Sequence, residues 1–226
     1  MLDALTGSPF FGLTLSAAAW CVGLWLQKKT KFFLCNPLLI ASALLIVCLA
    51  AFDIPYERYA QGGDFIKLML GPVTAVLALN IYNQRSILKQ YFIPVLVGCT
   101  VGSLTSMGSV LLLCRLLQTE SFLTASLLPK SVTTAIAIGI AESQGGVGGI
   151  AAAAVMVAGL TGAVLAPKLS KLFRVTDPVA EGLAIGSCSH ALGTAKAMEI
   201  GQVQGAMSSI AICVCGILTS VLALFL

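Results

Sequence analysis

The chain has 226 residues, of which 58% are hydrophobic and 10% charged, and its mean hydropathy is +0.99. Soluble domains run at about 45–50% apolar and about 25% charged, so 13 Lys+Arg and 9 Asp+Glu cannot cover a surface facing water. A cytosolic enzyme, a nucleic-acid binder and a secreted disulfide scaffold are excluded, and an integral membrane protein is expected. At roughly 20 apolar residues per span, the length accommodates about six to eight membrane-crossing elements and no separate soluble domain.

Apolar runs fall at about 9–26, 37–52, 65–82, 92–117, 121–141, 147–172, 179–197 and 204–226, joined by short polar breaks. The first run lacks a basic flank, carries Asp3 ahead of it and shows no cleavage site before Lys28, so it reads as a retained helix. Residues 1–60 read as N-terminal helices with a scaffold or oligomerisation role, and 61–226 as the core, within one transmembrane domain spanning 1–226. The breaks alternate in charge: Lys28, Lys29 and Lys31 are basic, Asp53, Glu57, Arg58 and Asp64 net acidic, and Arg85 with Lys89 basic. By the positive-inside rule the N-terminus lies outside and the first four helices alternate.

A full span over 121–141 would put Lys168, Lys171 and Arg174 outside. The rule is restored if 121–141 is a re-entrant hairpin or broken helix turning near Pro129-Lys130. The Gly- and Ser-rich run 179–197 fits a second hairpin, entering from the inner side, and both termini then face outward. Irregular backbone at membrane depth persists only where protein or water satisfies its polar groups, so two hairpins imply a shared polar cavity. The expected fold is therefore all-α and polytopic, with about six transmembrane helices, two hairpins and an inverted repeat. The repeat rests on Val73–Ile81, which aligns without gaps on Val132–Ile140, each segment following a Pro-containing break.

Three polar interruptions carry chemistry. Pro129-Lys130-Ser131-Val132-Thr133-Thr134 places an ammonium and hydroxyls in an apolar run. A Lys at membrane depth is costly unless paired or hydrated, and a helix start beside it makes a seat for a carboxylate. Lys130, Ser131, Thr133 and Thr134 are thus expected to bind substrate; the alternative is that Lys130 snorkels to the interface. Gly186 to Lys196 holds Ser189, Thr194 and the single histidine, His190. With an unperturbed pKa near 6.5, His190 is the candidate for proton coupling as well as for substrate contact. Gly71-Pro72-Val73-Thr74 with Asn80 is the third, offering Thr74 and Asn80. Gly71, Pro72, Pro129, Gly186 and Gly193 are expected to break or crowd helices. The small-residue ladders Gly98/Gly102/Ser106 and Ala158/Gly162/Ala166 read as helix packing, and Gly145-Gly146-Val147-Gly148-Gly149 as a turn. Eight cysteines lie mostly within apolar runs without metal-ligand spacing and read as small hydrophobes. No catalytic set, metal or cofactor is expected.

The Leu-Gly-Pro break at 70–72, the Pro-Lys-Ser-Val-Thr-Thr run at 129–134, Gly145-Gly146 and the Ser-His-Ala-Leu-Gly-Thr-Ala run at 189–195 with Glu199 together resemble the LrgB/CidB (YohK-type) family of bacterial membrane proteins. The same family is found as the C-terminal half of the plastid glycolate/glycerate translocator. Ala135, Lys196 and Asn80 depart from it, standing where Pro, Arg and Pro are usual. The resemblance implies a multi-pass protein of the bacterial inner membrane that works with a small LrgA/CidA-type membrane partner. It implies either transport of short monocarboxylates such as pyruvate or glycolate, or holin/antiholin-like control of murein hydrolase activity. The buried Lys, the His and the paired breaks favour transport. The expected partners are a small organic anion, that small membrane protein, the lipid bilayer and further copies of the chain, with no nucleic acid.

Overall fold

The computed structural model describes residues 6–30, 37–83 and 85–225, apart from the side chains at 70, 73, 74, 77, 78, 80 and 81. Among the described residues every regular element is a helix: α1 (Pro9–Thr30), α2 (Pro37–Ala51), α3 (Tyr56–Leu68), α4 (Leu70–Asn83), α5 (Arg85–Gln90), α6 (Phe92–Leu116), α7 (Ser121–Leu127), α8 (Thr134–Ser143), α9 (Gly148–Leu172), α10 (Pro178–Ile200) and α11 (Gln202–Ala223). Four of these, α1, α6, α9 and α11, are long and apolar enough to cross a membrane. α2, at 15 residues, reaches about 22 Å and falls short of a bilayer core of about 30 Å. The chain divides into two compact units, Met1–Pro72 and Val73–Leu226, and not near residue 60.

In the first unit, glycines bring backbones together. A Cβ on Gly62 would lie 2.7 Å from Gly12 Cα, and one on Gly23 would lie 2.7 Å from the Pro37 carbonyl oxygen. Such close approach replaces the hydrophobic drive that lipid removes between membrane helices. Around it, Ser16 Oγ and Tyr59 Oη share a hydrogen bond of 2.9 Å, and Arg58 Nη1 donates to Thr6 Oγ1 at 3.0 Å. α3 forms where a polar break was expected, because its charges lie on a helix that buries only Gly62. The expected run 65–82 is likewise split at Met69, the C-cap of α3.

The second unit is built along α11. Cys215 Sγ lies 3.8 Å from the Cys99 carbonyl oxygen, and one core cluster joins Val95 and Cys99 to Met207 and Ala211 while another joins Cys114 to Ala223. α6 therefore runs parallel to α11. The segment 121–143 folds back on itself. α7 and α8 have 7 and 10 residues, about 10 and 15 Å each, so neither crosses a bilayer. The chain returns to its starting level, since Gln144 Nε2 donates to the Ala223 carbonyl at 2.5 Å and Ala223 shares a core cluster with Cys114 near the end of α6; the Val147 N–H ties the return to α7 at Ser126 Oγ, 2.7 Å away. This base lies at the C-terminal end of α11.

α10 also folds back. Its helical geometry is broken at His190, at φ 39° and ψ −135°, and a Cβ on Gly193 would lie 3.2 Å from the Ile185 carbonyl oxygen. On a continuous helix residues eight apart are about 12 Å apart. Arms 178–189 and 191–200 are therefore antiparallel, with their base at the opposite end of α11. Gly182 meets Met207 there, with 2.8 Å from its Cβ position to Met207 Cβ, and Gly205 meets Met198, with 2.7 Å to Met198 Cγ. The Thr194 and Ser208 hydroxyls, 2.6 Å apart, tie the returning arm to α11. Since α11 is about 33 Å long by its 22 residues, the two hairpins enter the unit from opposite ends.

The expected pairing of Val73–Ile81 with Val132–Ile140 is not reproduced in local structure. The first segment lies within α4, unbroken from Leu70 to Asn83, with Gly71 and Pro72 in its first turn where Pro is tolerated. The second crosses from the 128–133 turn into α8.

The hairpin geometry fixes an expected labelling pattern. Ser143 and Thr176, both exposed, flank the two bases, so in a cysteine-free background Ser143→Cys and Thr176→Cys should react with an impermeant maleimide from opposite sides of the membrane. Labelling of both from one side would contradict opposed entry. Ser143 serves better than Gly145, whose φ of 76° is strained for a side chain.

Candidate functional site

The two hairpin tips meet in one pocket of about 880 Å3 between α6 and α9, a size typical of ligand clefts. From the first tip come Leu127, Lys130 and Ser131, from the second Cys188 and Ser189, from α6 Gly102, Thr105, Ser106 and Ser109, and from α9 the apolar Ile150, Ala153, Ala154, Val157 and Ala158 with Thr161 and Gly162. One wall offers hydroxyls and an ammonium and the other short alkyl groups.

The first tip turns because Pro129 cannot continue α7; Val132 N–H closes the turn on the Pro129 carbonyl at 3.3 Å. Pro129 and Val132 are fully buried, which leaves Lys130 and Ser131 facing the pocket. Lys130 Nζ donates to Ser106 Oγ at 3.2 Å, and Ser106 Oγ shares a hydrogen bond of 2.6 Å with Ser131 Oγ. Ser106 lies in the middle of the 25-residue α6, about 21 Å from its start, so the ammonium is held at the level of the middle of that helix. Lys130 is in no ion pair among the described residues, and its one described partner is a neutral hydroxyl. A cation left uncompensated in a membrane unit is a strong seat for an anion.

The second tip is held by α9. His190, 3% exposed, lies 2.9 Å through Nε2 from the Val155 carbonyl oxygen; a carbonyl only accepts, so Nε2 carries the proton and donates. The ring occupies space left by Gly159, whose Cβ would come within 2.5 Å of His190 Cε1, while a Cβ on Gly162 would collide with Ser189 Oγ. A histidine at positive φ costs about 1–3 kcal/mol, and such strain persists where the surroundings over-determine it. The imidazole packs behind the pocket wall and is not among the groups lining it.

Of the residues expected at the site, Lys130, Ser131 and Ser189 line the pocket. Thr194 does not: it is buried against Ser208. Thr133 caps α8 through its backbone conformation, with its hydroxyl buried and unbonded, and Thr134 is exposed in the first turn; neither lines the pocket. The side chains of Thr74 and Asn80 lie outside the described residues. Gly186 abuts Ser208 and Ala211, the latter at 2.8 Å from its Cβ position, and Gly193 seats Ser189 and Ile185; both lie within the arms of α10, whose helical geometry breaks at His190. Ser106, Thr105, Ser109 and Thr161 were not expected at the site. The usable signal was a strip of hydroxyls at helical spacing, Thr105, Ser106 and Ser109, on a largely apolar helix.

A model of the LrgB-like family matches residues 16–226. The chain is 40% identical to the antiholin-like protein LrgB of Bacillus subtilis (strain 168) over 215 residues, covering 95% of this chain and 93% of that protein. It is 39% identical over 219 residues to the proteins of the same name in Bacillus mycoides (strain KBAB4) and Bacillus cereus (strain B4264), covering 96% of this chain and 95% of each relative. No solved structure matches.

Proposed function

Because the chain belongs to the LrgB-like family, we propose that it is a multi-pass protein of the bacterial inner membrane that carries short monocarboxylates of the pyruvate or glycolate kind, working with a small LrgA/CidA-type partner. One observation carries this reading: Lys130, without a counter-charge among the described residues, faces a pocket that is hydroxylic on one side and lined with alanine on the other. A short carboxylate matches both walls. Its carboxylate takes hydrogen bonds from Lys130 Nζ and the Ser131 and Ser189 hydroxyls, and its carbon chain lies against Ala153, Ala154 and Val157.

Access from alternate sides would rest on an inverted repeat other than the pairing of Val73–Ile81 with Val132–Ile140. α6 with its hairpin corresponds to α9 with its own. Both helices have 25 residues, end on a residue with positive φ, Gln118 at 51° and Arg174 at 52°, and lead into a hairpin whose first arm is preceded by an acidic N-cap, Glu120 or Asp177. Movement of one half against the other would expose the tips alternately. His190, outside the lining, stays the candidate for proton coupling through Nδ1.

A second reading has its own support. The relatives are named antiholin-like, and that name favours control of murein hydrolase activity and autolysis without carrier activity more directly than it favours transport. Proteoliposomes separate the two. Saturable flux of labelled pyruvate, glycolate or lactate, with or without the small partner, is the outcome for a carrier. Unselective dye leakage, or no flux under any condition, assigns the antiholin-like role.

A further inference from the structure

The second unit has another cavity, of about 660 Å3, at the base of the second hairpin. Ser170, Lys171, Arg174, Thr176, Glu181 and Lys196 are among its lining residues. α9 has 25 residues, about 37 Å, and exceeds the roughly 30 Å hydrocarbon layer, which places its last turn at the level of the lipid headgroups.

The acidic groups near this cavity are already engaged. Glu181 accepts from Gln204 Nε2 at 3.2 Å, Glu199 pairs with Lys196 at 2.7 Å, and Asp177 accepts from the Val179 and Ala180 N–H groups at 2.7 and 3.3 Å. Lys171 and Arg174 have no side-chain partner among the described residues, and both are exposed. Two free cations, one a guanidinium with a planar fork of donors, flanked by the Ser170 and Thr176 hydroxyls, are a donor set suited to a tetrahedral oxyanion.

We propose that this cavity is a phosphoryl-anion site, distinct from the Lys130 pocket, and that its occupant is the phosphate of an anionic lipid headgroup. Basic pockets between membrane helices bind such headgroups, and each Lys or Arg near an anionic membrane surface is worth about 1 kcal/mol. The site depends only on the chain's being embedded in a bilayer, not on what the Lys130 pocket carries.

Native mass spectrometry of the detergent-purified full chain tests this, with phosphatidylglycerol and phosphatidylcholine added in turn and inorganic phosphate as competitor. Phosphatidylglycerol should be retained in preference to phosphatidylcholine. Lys171→Gln and Arg174→Gln should each weaken its retention about fivefold, and Lys171→Arg, which keeps the charge, should retain it. Lys168→Gln, at an exposed lysine outside the lining, should have no effect. Displacement by millimolar inorganic phosphate without preference between the lipids would keep the phosphoryl site and assign it to a soluble phosphate. Equal retention of the two lipids with no effect of phosphate overturns the proposal. So does a loss in Lys168→Gln as large as in Arg174→Gln, which would mean diffuse surface attraction.

Discussion

Replacing Lys130 by alanine should weaken binding of a short monocarboxylate by about 10- to 150-fold, the loss of a charge-assisted hydrogen bond worth roughly 1.5–3 kcal/mol. The tip should survive the change. Pro129 and Val132, which anchor it, are fully buried, and the Ser106–Ser131 bond of 2.6 Å does not need the ammonium. Lys130→Arg should recover only part of the affinity, because a guanidinium keeps the charge but does not fit a position shaped for a compact ammonium bonded at 3.2 Å to Ser106. Ser106→Ala should cost less, about fivefold, since it removes a neutral partner worth about 1 kcal/mol. Calorimetric titration of the purified protein with pyruvate, glycolate and lactate reads all three. Wild-type affinity in Lys130→Ala would show that the ammonium does not touch the anion.

Much of this site could be read before the fold was known, for a physical reason. A proline beside a lysine inside an apolar run has no inexpensive place in a lipid-facing helix, so 129–131 signalled a break at depth, and the basic cluster of Lys168, Lys171 and Arg174 required that break to turn back. What spacing could not supply was the direction each tip residue faces once the helix stops. Thr133 and Thr134 follow Lys130 closely yet lie off the pocket, since the chain has already entered α8 and rotated away. In sequence Ser106 reads only as part of a packing ladder, because a serine within a membrane helix usually bonds back to its own turn, and only the approach of Lys130 and Ser131 from 24 and 25 residues away gives it another role. His190 drew attention as a titrating group, and the residues that explain its position, Gly159 and Val155, lie on a different helix. The repeat was sought in apolar strings, where any two Ala/Val/Thr-rich helices match. The correspondence proposed between α6 and α9 with their hairpins rests instead on helix length and cap conformation, which residue identity barely records.

Gly162→Ala should be the most disruptive single-methyl change in the second unit. Its Cβ would fall on Ser189 Oγ and within 2.5 Å of Ser189 Cβ, and neither partner can yield easily. Gly162 is within the rigid α9, and Ser189, 1% exposed, precedes a residue already held at φ 39°. Overpacking of this kind costs about 1–3 kcal/mol, here directed at the docking of the second tip. The expected result is a lower Tm in detergent together with faster proteolysis around 187–191. Ser189→Gly removes both colliding atoms. The next neighbour of the new methyl is then the residue 189 Cα, at 3.5 Å, an ordinary contact, so Gly162→Ala/Ser189→Gly should regain most of the lost stability. A double-mutant cycle over these two positions should show coupling of about 1 kcal/mol or more. Affinity need not return with stability, because the double variant still lacks the Ser189 hydroxyl that faces the pocket; stability recovered without affinity would separate the packing role of that residue from its binding role. Additive losses in the cycle would mean that the tip does not rest on α9 at Gly162, and the pocket drawn between them would lose one of its walls.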